Sequence, residues 1–277
     1  MGLGTNHMTV TTGANFIPEI WSRELQRATE SNLVAAKLVK RFDADVKQKG
    51  DVVHVPLISN LSATDKTAGT AVTFSSPTEN KVDITVDKHK HIAVIIEDIL
   101  DAQQAYNTAE EYKSKISYGL AKQVDTDILA LYSSLSQSVG TAGTPPTDLN
   151  FLRAIQYLDD ADAPDNDRSF IMAPSCKASL LAIDKFVDQD FVGDRPTVSG
   201  VFGARYGIPF YVSTNVPASG GNPINLIIHK EAFALAMQKS VTLKSDYVID
   251  FLGMAHVGQV LYGVAEYRDA FGVQVLS

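Results

Sequence analysis

Residues 108–135 read TAEEYKSKISYGLAKQVDTDILALYSSL. Tyr112, Ile116, Leu120, Val124, Ile128, Leu131 and Leu135 recur every three or four residues, the spacing that places side chains on one face of a helix. Thr108 can cap the start, and Glu111, three residues on, completes a capping box. Glu110 and Glu111 sit at the positive end of the helix dipole. Glu111 and Lys115 stand four apart in the favoured order. Gly119 is the weak point, at ~1 kcal/mol against Ala. A helix of roughly 28 residues spans ~42 Å, longer than an ordinary globular helix. The stretch carries no cluster suited to chemistry and reads as a structural spine.

Upstream of the spine the period changes to two. Val53, Val55 and Leu57 alternate in DVVHVPL, and Val82, Ile84 and Val86 alternate in KVDITVD. Between them lies SNLSATDKTAGT, small and polar with Gly69, which reads as a long open connection. Val72 and Phe74 are expected to begin the returning strand. Residues 50–90 therefore form a long hairpin with too few apolar residues to be stable alone. It must lean on the body of the molecule or on another subunit. HIAVIIEDIL follows, read as a buried strand running into a turn or short helix. Ahead of the hairpin, residues 1–16 read as a loose arm. Pro18 suits the first position of a helix that carries Ile20, Trp21, Leu25 and Ala28.

Downstream, GTAGTPPT at 140–147 is a clear break. Thr147 or Asp148 then caps a helix bearing Leu149, Leu152, Ile155 and Leu158. RSFIMAP is a strand ending at Pro174, where a helix with Leu180, Leu181 and Phe186 begins. Residues 208–213 and NLIIH are further strands, and KEAFALAMQK is a compact apolar segment. From Ser240 the pattern is of long strands, with VQVLS closing the chain.

Composition is that of an ordinary soluble protein: 277 residues, 45% hydrophobic and 20% charged. The net charge of −8 disfavours tight nucleic-acid binding, which rests on neutralising phosphates, although an acidic wall can still enclose nucleic acid. Cys176 is the single cysteine, so no intrachain disulfide forms, which fits a reducing compartment. The start, MGLGTNHMTV, lacks the regions of a signal peptide, and Met8 is a candidate native start. No stretch reaches the ~20 apolar residues of a bilayer span.

Motifs for chemistry are sparse. His89 and His91 share a strand face with Asp87, but a third metal ligand at a defined spacing is missing. Gly200, Gly203 and Gly207 in GVFGARYG lack the strand and Lys-Ser/Thr of a phosphate loop, and read as turn glycines. Cys176 at a helix start could favour a thiolate; a buried thiol is the plainer reading. The pairs Asp159–Asp160 and Glu110–Glu111 read as solvated charges. A spine, a projecting hairpin, a loose arm and no active-site set describe a chain whose parts are meant for neighbours.

The order of segments resembles the major capsid protein of tailed bacteriophages, of the Hong Kong 97 type. The likeness runs through FIPEIWSREL, LVAAKLV, GDVVHVPL and the spine. It continues in FIMAPSCKASLL, GIPFYVSTNVP, LIIHKEAFALAMQK and VLYGVAEYRDAFGVQVL. The resemblance implies an α+β fold in four parts: an N-terminal arm at 1–47 and an extended loop at 48–96, then a peripheral domain at 97–140 and 238–270 and an axial domain at 141–237 and 271–277. It implies a shell subunit that forms hexamers and pentamers with copies of itself around double-stranded DNA, without sequence-specific binding. A separate scaffolding protein and a portal are further implied partners, with assembly in the host bacterial cytoplasm and no membrane. No catalytic residue, metal or cofactor is expected. The implied contacts between subunits fall on Phe16 and Trp21 in the arm and on Leu61, Asp65, Lys66 and Phe74 at the hairpin tip. Lys66 matches the region from which some relatives form covalent cross-links, but no acid-plus-Asn partner accompanies it, and it reads as a solvated lysine. An encapsulin-like cellular compartment and a metal-dependent enzyme using His89 and His91 are the competing readings.

Overall fold

The computed structural model describes residues 33–46, 51–58, 61–72, 74, 80–103, 108–183 and 204–277. The first half of the chain contributes α1 (Ala35–Leu38), β1 (Lys40–Arg41), α2 (Asp43–Val46), β2 (Val52–Leu57), β3 (Asn80–Thr85), β4 (Lys88–Glu97), α3 (Asp98–Gln103) and α4 (Thr108–Leu129). There follow β5 (Gln137–Val139), α5 (Asp148–Asp160), β6 (Arg168–Met172), α6 (Pro174–Leu180), β7 (Ala204–Arg205) and β8 (Ile208–Val212). The C-terminal part is strand apart from 3-10 turns at Ile249–Phe251 and Asp269–Phe271: β9 (Ala218–Ser219), β10 (Asn222–His229), β11 (Phe233–Val248), β12 (Gly253–Glu266) and β13 (Gly272–Leu276).

The spine is α4. Ile116, Leu120, Val124 and Ile128 are buried along the face that their spacing marks. The regular helix stops at Leu129, and Ala130–Ser134 continues as a tighter 3-10 turn, so α4 is shorter than the sequence pattern. That tightening is a common way for a helix end to satisfy its last carbonyls. Tyr112, near the other end, is 46% exposed.

The spine lies across a four-stranded sheet in the order β1-β11-β12-β4. Two glycines set how close it lies. A Cβ on Gly119 of α4 would meet Ile92 Cδ1 of β4 at 2.8 Å, and one on Gly258 of β12 would meet Leu120 Cδ1 at 2.9 Å. The apparent weak point of the helix is thus where it approaches the sheet.

A second sheet, β5-β13-β10-β6-β8-β7 with β9 on the end of β10, carries α5 and α6. Phe151 of α5, Phe170 of β6 and Phe210 of β8 meet at its centre, with ring centroids 4.9, 5.0 and 5.8 Å apart. Asn225 is fully buried in β10, yet its side chain is satisfied. Its Oδ1 accepts the N–H of Ala173 at 2.8 Å and its Nδ2 donates to the Val275 carbonyl at 3.1 Å. β7 and β8 are joined by Tyr206 and Gly207, both at positive φ (52° and 78°), the backbone of a tight hairpin turn. Gly207 is the turn glycine expected; Gly200, Gly203 and Phe186 lie outside the described residues.

β2 and β3 pair antiparallel from Val52↔Thr85 to Leu57↔Asn80. The base of this hairpin leans on the body: Ile84 and Val86 are buried with Ala234 and Ala236, against Val53, Val55 and Leu261.

Several expectations are corrected. Val72 and Phe74 are in no strand and are exposed, and pairing resumes only at Asn80. β4 is an edge strand, and Ile96 alone of its residues is buried. It is bonded along its length to β12, from Gly253↔Glu97 to Tyr262↔Lys88, so it belongs with the spine sheet and not with the hairpin. KEAFALAMQK is no separate segment, since β11 begins at Phe233. In α5 the buried face is Phe151, Ala154 and Leu158, which leaves Leu149 and Leu152 at 56% and 42% exposure.

Candidate assembly surfaces

Several of the described side chains that sequence reading singled out for chemistry are engaged structurally. Cys176 is buried, and burial pushes its thiol up to about 12, so it is no thiolate at neutral pH. His89 meets Gln259 Oε1 at 3.3 Å across the β4–β12 pair. Among the described residues no three His, Cys, Asp or Glu side chains group as metal ligands. Asp159 is paired with Arg168 at 2.7 Å, and Glu110 with Lys113 at 2.8 Å.

One buried carboxylate holds the start of the described chain to the spine. Val34, at the cap position of α1, has no side-chain oxygen to offer. Asp125 of α4, fully buried, supplies it: Oδ1 accepts the Ala36 N–H at 3.2 Å. Burial raises the carboxyl above its ordinary value, against the opposing pull of these N–H groups and the Asn215 side chain.

Among the described residues, exposed large apolar side chains gather most densely in three places. The first is the hairpin loop, with Ile58 at 83%, Leu61 at 68% and Phe74 at 93% exposure. Asp65 and Lys66 are exposed on the same loop, which turns at Thr67–Thr70, where Gly69 has φ +82° and Thr70 Oγ1 donates to the Thr67 carbonyl at 2.7 Å. Four of the six expected contact residues therefore lie on one exposed loop; Phe16 and Trp21, with the helix after Pro18, fall outside the described residues.

The second place is the turn from β11 to β12. Ile249, Phe251 and Leu252 are 76%, 61% and 63% exposed, beside Ile99 and Leu100 of α3. The turn is tied down: the Leu252 carbonyl accepts Asp98 N–H at 3.0 Å and Tyr247 Oη donates to Asp98 Oδ2 at 2.7 Å. The third is the outer face of α5, Leu149, Leu152 and Tyr157. Sequence reading missed these two surfaces. The signal was present at the turn, where IDFL places three large apolar residues between two strands.

Residues 35–273 match the family described as phage capsid protein. The chain belongs to that family. As a phage capsid protein it is a structural subunit of the shell, and the family gives no support to a cellular compartment or a metal enzyme. Solved structures show the same fold. One described as Mycobacterium phage Che8 superposes with a TM-score of 0.83 at 24% identity, over 94% of this chain and 97% of that one. The capsid structure of the cyanophage P-SCSP1u gives 0.80 at 17% identity, over 99% and 96%. The mature capsid of bacteriophage PhiM1 gives 0.74 at 14% identity, over 94% and 91%. No curated protein matches the chain in sequence. The Hong Kong 97 type of fold expected from the order of segments is thus the fold of this capsid protein.

Proposed function

We propose that this capsid protein assembles with copies of itself into the hexamers and pentamers of an icosahedral shell around double-stranded DNA. Assembly takes place in the host bacterial cytoplasm with a separate scaffolding protein and a portal, and the chain catalyses no reaction. One observation carries the reading. The hairpin is anchored at its base by Ile84 and Val86, while its loop holds Leu61 and Phe74 in solvent. Exposing such side chains on a lone monomer costs solubility and gains nothing; covered by a neighbour, each contributes roughly 1.5–3 kcal/mol.

The parts take these roles. Residues 1–47 are the arm, and the hairpin within 48–96 reaches a neighbouring subunit through Leu61, Asp65, Lys66 and Phe74, as the arm does through Phe16 and Trp21. The spine α4 and the long strands β11 and β12, around 97–140 and 238–270, make the peripheral wall, which β4 joins at its edge. The second sheet, around 141–237 and 271–277, lies toward the symmetry axes. The net charge of −8 suits a container whose contents must slide past its wall. Electron microscopy of the purified chain tests the reading: closed shells or ring-shaped capsomers are expected, and a strictly monomeric protein at high concentration would refute it.

A further inference from the structure

The two ends of β11 carry opposite charge. Near its start is an open cleft of about 490 Å³ between β1 and the β10–β11 connection. Lys37, Lys40, Arg41 and Lys230 line it, with Asp167 and Glu231, over Val39. Lys40 is paired with Glu231 at 2.6 Å, and Arg41 with Asp43 at 2.7 Å. Lys37 and Lys230 form no ion pair with a described residue, and Asp167 offsets only one of them, so the cleft keeps a small net positive charge on an acidic chain.

At the far end of β11 is the turn that carries Ile249, Phe251 and Leu252. Glu97, Asp98, Asp246 and Asp250 surround it, all exposed, with Lys244 nearby. Leu252 has φ +41° and ψ +53°, the left-handed region in which Gly or Asn is the ordinary occupant. A leucine with that backbone and an exposed side chain carries a local cost that a covering neighbour would offset.

We propose that the acidic, apolar-centred turn of one copy docks in the basic cleft of a second copy. The contact rests on the capsid reading above. Over the 16 residues of β11 the two sites stand about 50 Å apart, at ~3.4 Å per residue, so no chain can satisfy its own. Turn and cleft are different patches, so the contact is heterologous: it closes a ring or continues along a wall, as a shell requires. Lys37 and Lys230 meet Asp246 and Asp250 at the rim. Phe251 and Leu252 pack over the methylene stems of the cleft's lysines, since Val39 beneath them is itself buried. The hairpin loop, with Asp65 and Lys66 in balance, offers the cleft no such complement.

The test is a charge exchange in the full chain. Asp246→Lys with Asp250→Lys reverses the turn; Lys37→Glu with Lys230→Glu reverses the cleft. Each pair should reduce the assembled fraction about tenfold or more, since like charges then face each other. All four substitutions together should restore it. Circular dichroism and thermal melting confirm that each variant folds; should one pair unfold the chain, Asp246→Asn with Asp250→Asn and Lys37→Gln with Lys230→Gln replace the reversals, and each should weaken assembly, increasingly so at low salt. Folded reversals that assemble normally, or that the fourfold exchange leaves unrepaired, would overturn the proposal. The second result would assign the cleft to another occupant, such as residues 1–32. Failure of the unsubstituted chain to assemble would instead refute the capsid reading itself.

Discussion

Tyr262 Oη donates to Asp127 Oδ2 at 2.7 Å, tying β12 to the C-terminal part of α4, while Gln123 Nε2 holds the other carboxylate oxygen at 2.8 Å. Tyr262 is fully buried, and burial first, then Asp127, pushes its hydroxyl well above the ordinary tyrosine range. The hydroxyl therefore stays a donor at any working pH. Tyr262→Phe should keep the ring's packing and lose the bond, at ~0.5–1.5 kcal/mol of unfolding free energy. Denaturant titration measures it. A loss near zero would mean that the tie is not a stabilising contact.

Gly258→Ala should destabilise the spine sheet by roughly 1–3 kcal/mol, because the new methyl meets both Ile116 and Leu120. Gly119→Ala differs: it gains ~1 kcal/mol of helix propensity and is opposed by one flexible atom, Ile92 Cδ1 at 2.8 Å. Its net effect is expected to be smaller in size than that of Gly258→Ala. Melting temperatures of the two variants settle the order.

Arg168 gathers the loop between α5 and β6. It pairs with Asp159 at 2.7 Å and Asp165 at 3.1 Å, and donates to the carbonyls of Pro164 at 2.9 Å and Ala163 at 2.6 Å. Both carboxylates are largely exposed, so most of the loss in Arg168→Met comes from the two carbonyls and the missing hydrogen bonds, about 1–3 kcal/mol. Faster hydrogen exchange confined to residues 159–168 and their neighbours is the expected signature. Unchanged exchange there would contradict it.

Asp125 gives a pH dependence whose sign is fixed by its environment. Its folded carboxyl binds a proton more readily than in the unfolded chain, so its contribution to stability is greatest at low pH. That contribution falls as pH climbs from the ordinary aspartate value toward the raised one, and above that window the buried charge is a constant cost. Asp125→Asn keeps an acceptor for Ala36 and removes the titration. Stability measured across acid to neutral pH should slope downward more steeply in the parent than in the variant. Parallel curves would show that Asp125 does not couple to folding.

The spine was legible because apolar residues recur at helical spacing from Tyr112 to Ile128, and the buried Ile116, Leu120, Val124 and Ile128 follow it. The hairpin was legible from alternation in two short runs. What failed depended on partners far along the chain. Residues 92–96, IAVII, look like a buried run, yet β4 sits at a sheet edge: Ile92, Val94 and Ile96 are on the covered face, while Ala93 and Ile95 are exposed. Leu149 and Leu152 fit a helical face as well as Phe151 and Ala154 do, and only the position of Phe170 and Phe210 decides which face turns inward. The contact residues of the hairpin loop were placed in sequence by resemblance; the cleft at Lys37 and Lys230 joins segments nearly 200 residues apart, and no local pattern announces it.

Leu61 and Phe74, exposed on the hairpin loop, are assigned to neighbours rather than to their own chain. Deletion of residues 61–74, bridged by a short Gly-Ser link, tests this assignment most directly, with electron micrographs taken beside thermal melts. A melting temperature close to that of the parent is expected, with no closed shells, only open sheets or free capsomers. Normal closed shells from the deleted chain, or a collapse of the fold on deletion, would contradict it.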